Sequence, residues 1–310
     1  MKRVLVTGGA GFIGRHLCSA LAQHGCEVQV LDLVVPCSRD TNSSTRYLKG
    51  SVLDTVALDH ALSLCPDIVV HMAAISLPGL ARADPAGAVE TNVEGTKRLL
   101  EKLASCHSVK RFVFVSSSMV YGNFLREPAT EDHPNNPIET YGRTKLIGEQ
   151  LTRLFCGSWD IPSVIVRPTA VYGPGDANRR VVQRLLEQAL NGDTLTVDDD
   201  GSERLDFTHV ADFTAGLALA SLSPEAAGLD FNLSRGESFS VLELAQIIRE
   251  LIPTSLIELR PRRQQERFRP QRGTLDISRA HKILGYNPQY SLRRGIAAYM
   301  QHLSIGLEMA

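Results

Sequence analysis

The 310-residue chain has few of the features that mark membrane, secreted or nucleic-acid-binding proteins. No uninterrupted apolar run approaches the ~20 residues that span a bilayer, so no membrane partner is expected. The six cysteines are scattered, without a Cys-x-x-Cys pair or a histidine cluster at metal spacing, which predicts reduced thiols and no metal site. The formal net charge of -1 argues against nucleic acid as a partner. Glycines come too early in the N-terminal segment for a signal-peptide core, so a cytoplasmic location is expected.

What the sequence does contain is an alternation of short apolar strands with helical segments. Stretches such as KRVLVTG, EVQVLDL and KRFVFVSSS are typical of buried strands. The alternation predicts an α/β fold, a Rossmann-type doubly wound parallel sheet with helices on both faces. The regularity weakens after Pro168, where helices such as SVLELAQIIREL predict a smaller, interleaved C-terminal substrate domain. The expected division is 1–167, with a returning segment around 205–235, against 168–204 and 236–310.

A glycine cluster, TGGAGFIG, lies between the first predicted strand and the first predicted helix. Gly9, Gly11 and Gly14 satisfy G-x-G-x-x-G, and Gly8 with the last two satisfies G-x-x-G-x-x-G. Such glycines let the backbone and the helix N-terminus approach a pyrophosphate. Asp32 closes the second strand at the distance expected of an acid that binds the adenosine ribose. Its carboxylate would repel a 2′-phosphate, so NAD is expected rather than NADP.

The stretch ETYGRTK places Tyr141 four positions before Lys145. Residues four apart lie on one face of a helix, so the hydroxyl and the ammonium could address one point in space. The same spacing also fits a half-buried tyrosine beside a solvated lysine. Spacing alone therefore leaves a catalytic and a structural interpretation open.

Further motifs give the chain a resemblance to a known family. They are HMAA and SSSMVYG at the ends of two predicted strands, then YGRTK, RPTAVYGPGD, GSERLDFTHVAD and LDISRAHKILGYNP. Together with the glycine turn they resemble an extended short-chain dehydrogenase/reductase of the nucleotide-sugar epimerase and dehydratase group, most similar to UDP-sugar 4-epimerases.

This resemblance implies roles for individual residues. Tyr141 would be the general base, Lys145 would hold the nicotinamide ribose and lower the pKa of the tyrosine, and Ser117 would donate to the reacting oxygen. A phenol is a poor base at neutral pH unless a cation stabilises its phenolate, so the combination is chemically sound. Ser117 could otherwise be a loop serine that caps a strand end. The implied cofactor-binding residues are Gly8, Gly11, Phe12, Ile13, Gly14, Asp32, Ser51, Val52, Ala73, Ala74, Asn92, Tyr141, Lys145 and Pro168, and the implied substrate-binding residues are Ser118, Thr169, Arg204 and Arg269.

The chain departs from the family pattern at the substrate. The 4,6-dehydratases carry an Asp-Glu pair where this chain has Ser118 and Met119, and glucuronate decarboxylases carry a glutamate at the second position. Ala170 replaces a common asparagine, and Leu205 replaces an arginine for which Arg204 is the candidate substitute. The basic segment RPRRQQERFRPQR, which includes Arg269, is either an anion clamp or a solvated loop.

These features favour an NAD-dependent epimerase that inverts C4 of a UDP-sugar through a transient 4-keto intermediate. The alternative is an NAD-dependent dehydrogenase or reductase of another alcohol or keto substrate. The absence of the family's asparagine at position 170, where this chain has Ala170, favours that alternative. A 4,6-dehydratase, a decarboxylase or a non-catalytic dinucleotide sensor agrees less well with the residues present. The resemblance also implies a homodimer, paired through the helix that contains Val89, Val93, Thr96, Leu100 and Leu103 and through the helix after Tyr141, as a four-helix bundle.

Cofactor preference provides a direct test of the role of Asp32. NAD should bind far more tightly than NADP, and Asp32→Ala should narrow the difference because the repulsion of a 2′-phosphate is removed. Fluorescence titration of both dinucleotides against the unmodified and the variant protein measures this difference. Equal or tighter binding of NADP by the unmodified protein would contradict the assignment.

Overall fold

The computed structural model describes residues 1–36, 45–261 and 270–308, with side chains up to position 304. Cys37 and Arg269 lie outside the described residues. The other cysteines, Cys18, Cys26, Cys65, Cys106 and Cys156, are free thiols. Among the described helices, none combines the length and the apolar character that crossing a membrane requires. The cytoplasmic location stays a prediction.

The secondary structure alternates between strands and helices through most of the chain. The strands are β1 (Arg3–Thr7), β2 (Glu27–Asp32), β3 (Thr45–Lys49), β4 (Ile68–His71), β5 (Arg111–Val115), β6 (Ser163–Pro168), β7 (Val171–Tyr172), β8 (Leu195–Asp198), β9 (Arg204–Leu205), β10 (Thr208–His209), β11 (Asp230–Leu233), β12 (Phe239–Ser240) and β13 (Ile257–Arg260). The helices are α1 (Phe12–Gln23), α2 (Thr55–Ser63), α3 (Pro78–Ala83), α4 (Pro85–Val89), α5 (Gly95–Leu103), α6 (Thr140–Ser158), α7 (Val181–Leu190), α8 (Val210–Leu222), α9 (Val241–Leu251), α10 (Ser278–Leu284) and α11 (Leu292–Glu308). A π-helical turn, Glu90–Glu94, joins α4 to α5.

Within the described ranges, seven strands form one parallel sheet in the order β11-β6-β5-β4-β1-β2-β3. The central strands are runs of aliphatic residues because both faces of a parallel sheet are covered. Val4, Val6 and Val70 pack with α1 and α8 on one face, whereas Leu5 and Val69 pack with α2, α5 and α6 on the other. The prediction of a Rossmann-type doubly wound α/β fold is confirmed.

A separate hydrophobic core is built from residues that follow β6 in the sequence. Leu185, Leu186, Leu244, Ile248 and Ile296 bring α7, α9 and α11 together over β8 and β13. Helix α9 is capped by Ser240, whose hydroxyl accepts from the Glu243 N–H in a capping box. This second core supports a smaller substrate domain, and the return of β11 to the main sheet supports the interleaving. The division of the chain at the stated boundaries stays a prediction.

Candidate functional site

A cavity of about 1070 Å³ lies at the carboxyl edge of the parallel sheet. The order of the strands changes direction between β1 and β4, and ligands of open α/β sheets bind at such a point. The walls come from the glycine turn, from the segments that follow β2, β4, β5 and β6, and from residues near the second core such as Phe207 and Arg272. The cavity therefore lies between the sheet and the predicted substrate domain.

The glycine turn provides a surface that side chains would block. Gly8 has φ +74, and a Cβ there would lie 2.8 Å from the Ala73 nitrogen. A Cβ on Gly14 would lie 2.5 Å from the Gly8 oxygen, so α1 can pack this closely only with glycine. Helix α1 begins after Gly11 without a side-chain cap. Its first N–H groups and its positive dipole end are thus available to a pyrophosphate.

The acid after the glycine turn is fixed by the backbone. Asp32 Oδ2 accepts from the Ala10 N–H at 2.9 Å, and Oδ1 accepts from the Val34 N–H at 3.1 Å. The carboxylate lines the cavity and keeps acceptor capacity for two ribose hydroxyls, since each oxygen has a second lone pair. The glycine turn and Asp32 together fit the adenosine diphosphate half of a dinucleotide.

The three predicted catalytic residues meet at the same cavity. Ser117 follows β5, and Tyr141 and Lys145 lie on successive turns of α6. The Ser117 hydroxyl accepts from the Met119 N–H at 3.2 Å, and its interaction with the Tyr141 side chain lowers the pKa of that tyrosine. Lys145 Nζ donates to the Val115 carbonyl at 2.8 Å and lies 6.0 Å from the centre of the Tyr141 ring. The end of the neighbouring strand therefore fixes the lysine in the vicinity of the tyrosine.

Burial opposes the charged forms of both ionisable residues. It raises the pKa of Tyr141, while the positive charge of Arg180 and the hydrogen bond with Ser117 act in the opposite direction. Burial lowers the pKa of Lys145 to about 8, and the Glu149 carboxylate partly counteracts this. The protonation of both residues thus depends first on burial and then on nearby charges.

Three predicted site residues are not at the cavity wall or cannot be placed. Asn92 lies behind the wall, where its amide accepts from the Ile75 N–H at 2.7 Å and donates to Thr144 Oγ1 at 3.0 Å. It therefore connects the loop after β4 to α6.

Arg204 is directed to the Ser238 hydroxyl and to Glu243, not to the cavity. Arg269 lies outside the described residues. The predicted residues that line the cavity are Gly8, Gly11, Phe12, Ile13, Gly14, Asp32, Ser51, Val52, Ala73, Ala74, Ser117, Ser118, Tyr141, Lys145, Pro168 and Thr169.

Several charged residues of the cavity have no signal in the sequence. Arg180 precedes α7, and its Nη1 donates to the Val171 carbonyl at 3.1 Å and lies 4.0 Å from Asp176 Oδ2. Arg82 and Glu139 also line the cavity and form an ion pair at 2.7 Å. No local pattern distinguishes these side chains from surface charges, because only the folded loops bring them to the cavity.

The wall around Tyr141 is otherwise largely apolar. Met119 packs with Tyr141, Ala81, Ala88 and Ile75 and is 6% exposed. Ser118 is fully buried, lines the cavity, and its Oγ has no hydrogen-bond partner among the described residues. The site therefore has a hydroxyl group and a thioether, rather than an acid, at the two positions after Ser117.

Fold and cavity together define a Rossmann-type, dinucleotide-dependent enzyme with buried ionisable groups at the cavity. The chain belongs to the NAD dependent epimerase/dehydratase family, whose model matches residues 4–234. It is 31% identical to the uncharacterized UDP-glucose epimerase YtcB of Bacillus subtilis, over 97% of this chain and 98% of that protein. It is 32% identical to UDP-glucuronic acid decarboxylase 2 of Arabidopsis thaliana, over 95% of this chain and 66% of that longer protein.

Solved structures of epimerases resemble the whole chain. An epimerase from Methanothermobacter thermautotrophicus matches with a TM-score of 0.91 and 32% identity, over 99% of this chain and 94% of that chain. The UDP-glucuronic acid 4-epimerase of Bacillus cereus, in complex with UDP-glucuronic acid and NAD, matches with a TM-score of 0.89 and 30% identity, over 98% of this chain and 99% of that chain.

Proposed function

We propose that the chain is an NAD-dependent nucleotide-sugar epimerase that inverts C4 of a UDP-sugar. The observation that carries the proposal is the buried group of Ser117, Tyr141 and Lys145 at a cavity that also contains a complete dinucleotide-binding turn. The UDP-sugar epimerases among the relatives and structural neighbours support the same substrate class.

Residues of this chain fit both halves of NAD. The glycine turn and the N-terminus of α1 would bind the pyrophosphate, Asp32 would bind the adenosine ribose, and Lys145 would bind the nicotinamide ribose. When bound, NAD supplies the acceptor and donor of the hydride at C4 of the sugar.

Proton transfer is the task of the protein side chains. Tyr141 takes the proton of the C4 hydroxyl and returns it after inversion, while Ser117 hydrogen-bonds the same oxygen. The Arg180 charge favours the phenolate that burial disfavours, and Lys145 brings a second cation to within 6.0 Å of the ring centre. The buried setting also keeps bulk water from competing for the proton.

The side chains that follow Ser117 distinguish epimerisation from dehydration and from decarboxylation of the sugar. Dehydration of the sugar or loss of its carboxylate needs a further acid or base, and Ser118 and Met119 provide neither. Inversion of C4 needs no additional proton-transfer group. Epimerisation is therefore the reaction that the present side chains support best, although a decarboxylase is among the relatives.

Removal of the Tyr141 hydroxyl tests the assignment of the base. Tyr141→Phe keeps the ring packing and removes the proton acceptor, so turnover should fall by on the order of a hundredfold or more. Tyr290→Phe is the matched control, because Tyr290 stacks on His209 outside the cavity wall. Steady-state kinetics and NAD titration of both variants give the measurement, and normal turnover by Tyr141→Phe would show that the tyrosine is structural.

The fate of the C4 hydrogen distinguishes an epimerase from a dehydrogenase. Incubation with the correct UDP-sugar should give the C4 epimer without stoichiometric NADH, and deuterium at C4 of the substrate should remain in the product sugar. NMR of the product and absorbance of NADH measure both quantities. Accumulation of free NADH with a matching keto product would instead establish the dehydrogenase.

We also propose a homodimer in which α5 and α6 pair across a two-fold axis. Ile147 and Leu154 on α6 are 39% and 63% exposed, and Val89, which ends α4 just before α5, is 45% exposed, so this side leaves apolar side chains uncovered. Of the predicted stripe, however, Leu100 and Leu103 are buried in the core of their own chain. The pairing surface is therefore narrower than the sequence pattern suggested.

A charge on the exposed side of α6 should disrupt this dimer. Leu154→Asp is expected to give a monomer by light scattering at micromolar concentration, because burial of a charge without a partner is unfavourable. Val56→Asp replaces another exposed apolar residue, on α2, and should leave the dimer intact. A monomeric mass for the unmodified protein would contradict the proposal.

A further inference from the structure

A buried ion pair lies behind the cavity wall. Arg167 Nη2 is 2.6 Å from Glu149 Oε2, and Arg167 Nε donates to Glu149 Oε1 at 2.9 Å. Each side chain is 2% exposed, and neither lines the cavity. Two parallel hydrogen bonds of this kind fix the relative position and angle of both partners.

Each partner also holds a segment that carries site residues. Glu149 Oε1 accepts from the Ser116 hydroxyl at 2.6 Å, and Ser116 directly precedes Ser117. Arg167 lies near the end of β6, directly before Pro168 and Thr169, which line the cavity.

Helix α6 links the ion pair to the catalytic group. Tyr141, Lys145 and Glu149 occupy successive turns of the same face, four residues apart. The carboxylate of Glu149 therefore joins the end of β5, the helix with the tyrosine and lysine, and the end of β6. A change in its length or charge would displace all three.

We propose that the Glu149–Arg167 pair is a positioning device, which fixes the end of β5 with Ser117, the helix with Tyr141 and Lys145, and the end of β6 relative to one another. The proposal rests on the function proposed above, because it assigns these residues a role in the same proton transfer. Glu149 and Arg167 act through Ser116 and Lys145 and contact neither substrate nor cofactor.

The charges around Lys145 agree with this role. Glu149 is the carboxylate that raises the pKa of Lys145 against the effect of burial. His71, on β4, is fully buried and its pKa is lowered to about 3, so it adds no positive charge at neutral pH. Tyr141 is the neighbour on α6, and Arg180 is a cation that acts on that tyrosine. The protonated lysine thus depends on the carboxylate one turn further along its own helix.

Stability alone gives little reason for such a pair. Apolar side chains of similar volume are often as stabilising as a buried ion pair, since they avoid the cost of removing two charges from water. Arg167 also donates to the Tyr121 hydroxyl at 3.0 Å and to the Asp230 carboxylate at 3.0 Å. These bonds fix the position of its guanidinium group. A fixed geometry next to the catalytic serine is what a positioning role requires.

The protonation of Lys145 can be measured without substrate. The chain has seven lysines, so ¹³Cε labelling and NMR titration can resolve Lys145, with Lys145→Arg to identify its signal. Glu149→Gln should lower the titration midpoint of Lys145 by about one pH unit, because a negative charge is removed from a buried site. The alkaline limb of the activity profile should move to lower pH by the same amount, and turnover should fall at least tenfold.

Glu131→Gln is the matched control for this change. Glu131 is also buried, lies 3.6 Å from Arg279 and accepts from the Asn232 N–H, but its carboxylate contacts no residue of α6. Its replacement should leave the Lys145 midpoint and turnover unchanged. A folded Glu149→Gln protein with wild-type turnover and a wild-type Lys145 midpoint would overturn the proposal.

Two further variants separate position from charge. Ser116→Ala removes the bond to Glu149 but keeps both charges, so turnover should fall several-fold while the Lys145 midpoint stays constant. Glu149→Asp keeps the negative charge but shortens the side chain. The Lys145 midpoint should therefore stay closer to its wild-type value than turnover does. If Glu149→Gln does not fold, the double variant Glu149→Gln/Arg167→Met leaves no unpaired arginine and should still show the lowered midpoint.

The titration also separates this proposal from the proposed function. If the unmodified protein inverts no UDP-sugar but the Lys145 midpoint responds to Glu149→Gln, the reaction is wrongly assigned and the charge coupling is supported. If the protein is an active epimerase and neither Glu149→Gln nor Ser116→Ala alters turnover or midpoint, the positioning role is refuted alone.

Discussion

The parallel pairing of the strands is the constraint on which the site depends. Parallel neighbours must be joined by a connection that returns to the same end of the sheet, so all carboxyl ends lie along one edge. Gly8, Ala73, Ser117 and Thr169 follow four different strands and still reach one cavity. At the centre of this edge, β1 and β4 approach so closely that Gly8 has no room for a side chain. The same close approach leaves the backbone open to a phosphate.

The electrostatics of the site follow from how deeply that edge is buried. Removal from water opposes both a tyrosinate and an ammonium ion, and it acts on Tyr141 and Lys145 in this way. At an effective dielectric constant of about 20, unit charges about 6 Å apart interact by roughly 3 kcal/mol, or about two pKa units. Single charges such as Arg180 and Glu149 therefore counteract burial in part, while burial remains the larger effect on the pKa of Tyr141 and of Lys145. The proton-transfer chemistry depends on residues that do not themselves transfer protons.

Local patterns allowed much of the fold and part of the site to be predicted. The glycine turn, Asp32 and the Tyr141–Lys145 pair each involve residues close in sequence, and one helix or turn fixes their geometry. Strand β3 lacks such a pattern, because it is a partly exposed edge strand with polar residues and no continuous apolar run.

Residues whose role depends on tertiary packing could not be predicted in this way. Asn92 was expected at the cofactor but bonds Ile75 and Thr144 behind the cavity wall, and a π-helical turn determines its direction. Arg180 reaches the cavity through a loop that has no sequence signature. Leu100 seemed equally suited to an interface and to the core, since an apolar stripe does not specify which neighbour covers it.

The type of reaction depends on far fewer residues than the fold does. Epimerases and a decarboxylase match this chain at similar identity, so the sheet, the glycine turn and the cavity do not select among their reactions. Selection depends on the few side chains at the strand ends, where Ser118 and Met119 replace the acids that other reactions need. Ala170 has φ +35, a conformation that residues with side chains rarely adopt, so the turn is kept although the asparagine that suits it is absent. The backbone of the site is thus set by packing, and the chemistry depends on the few side chains that this backbone carries.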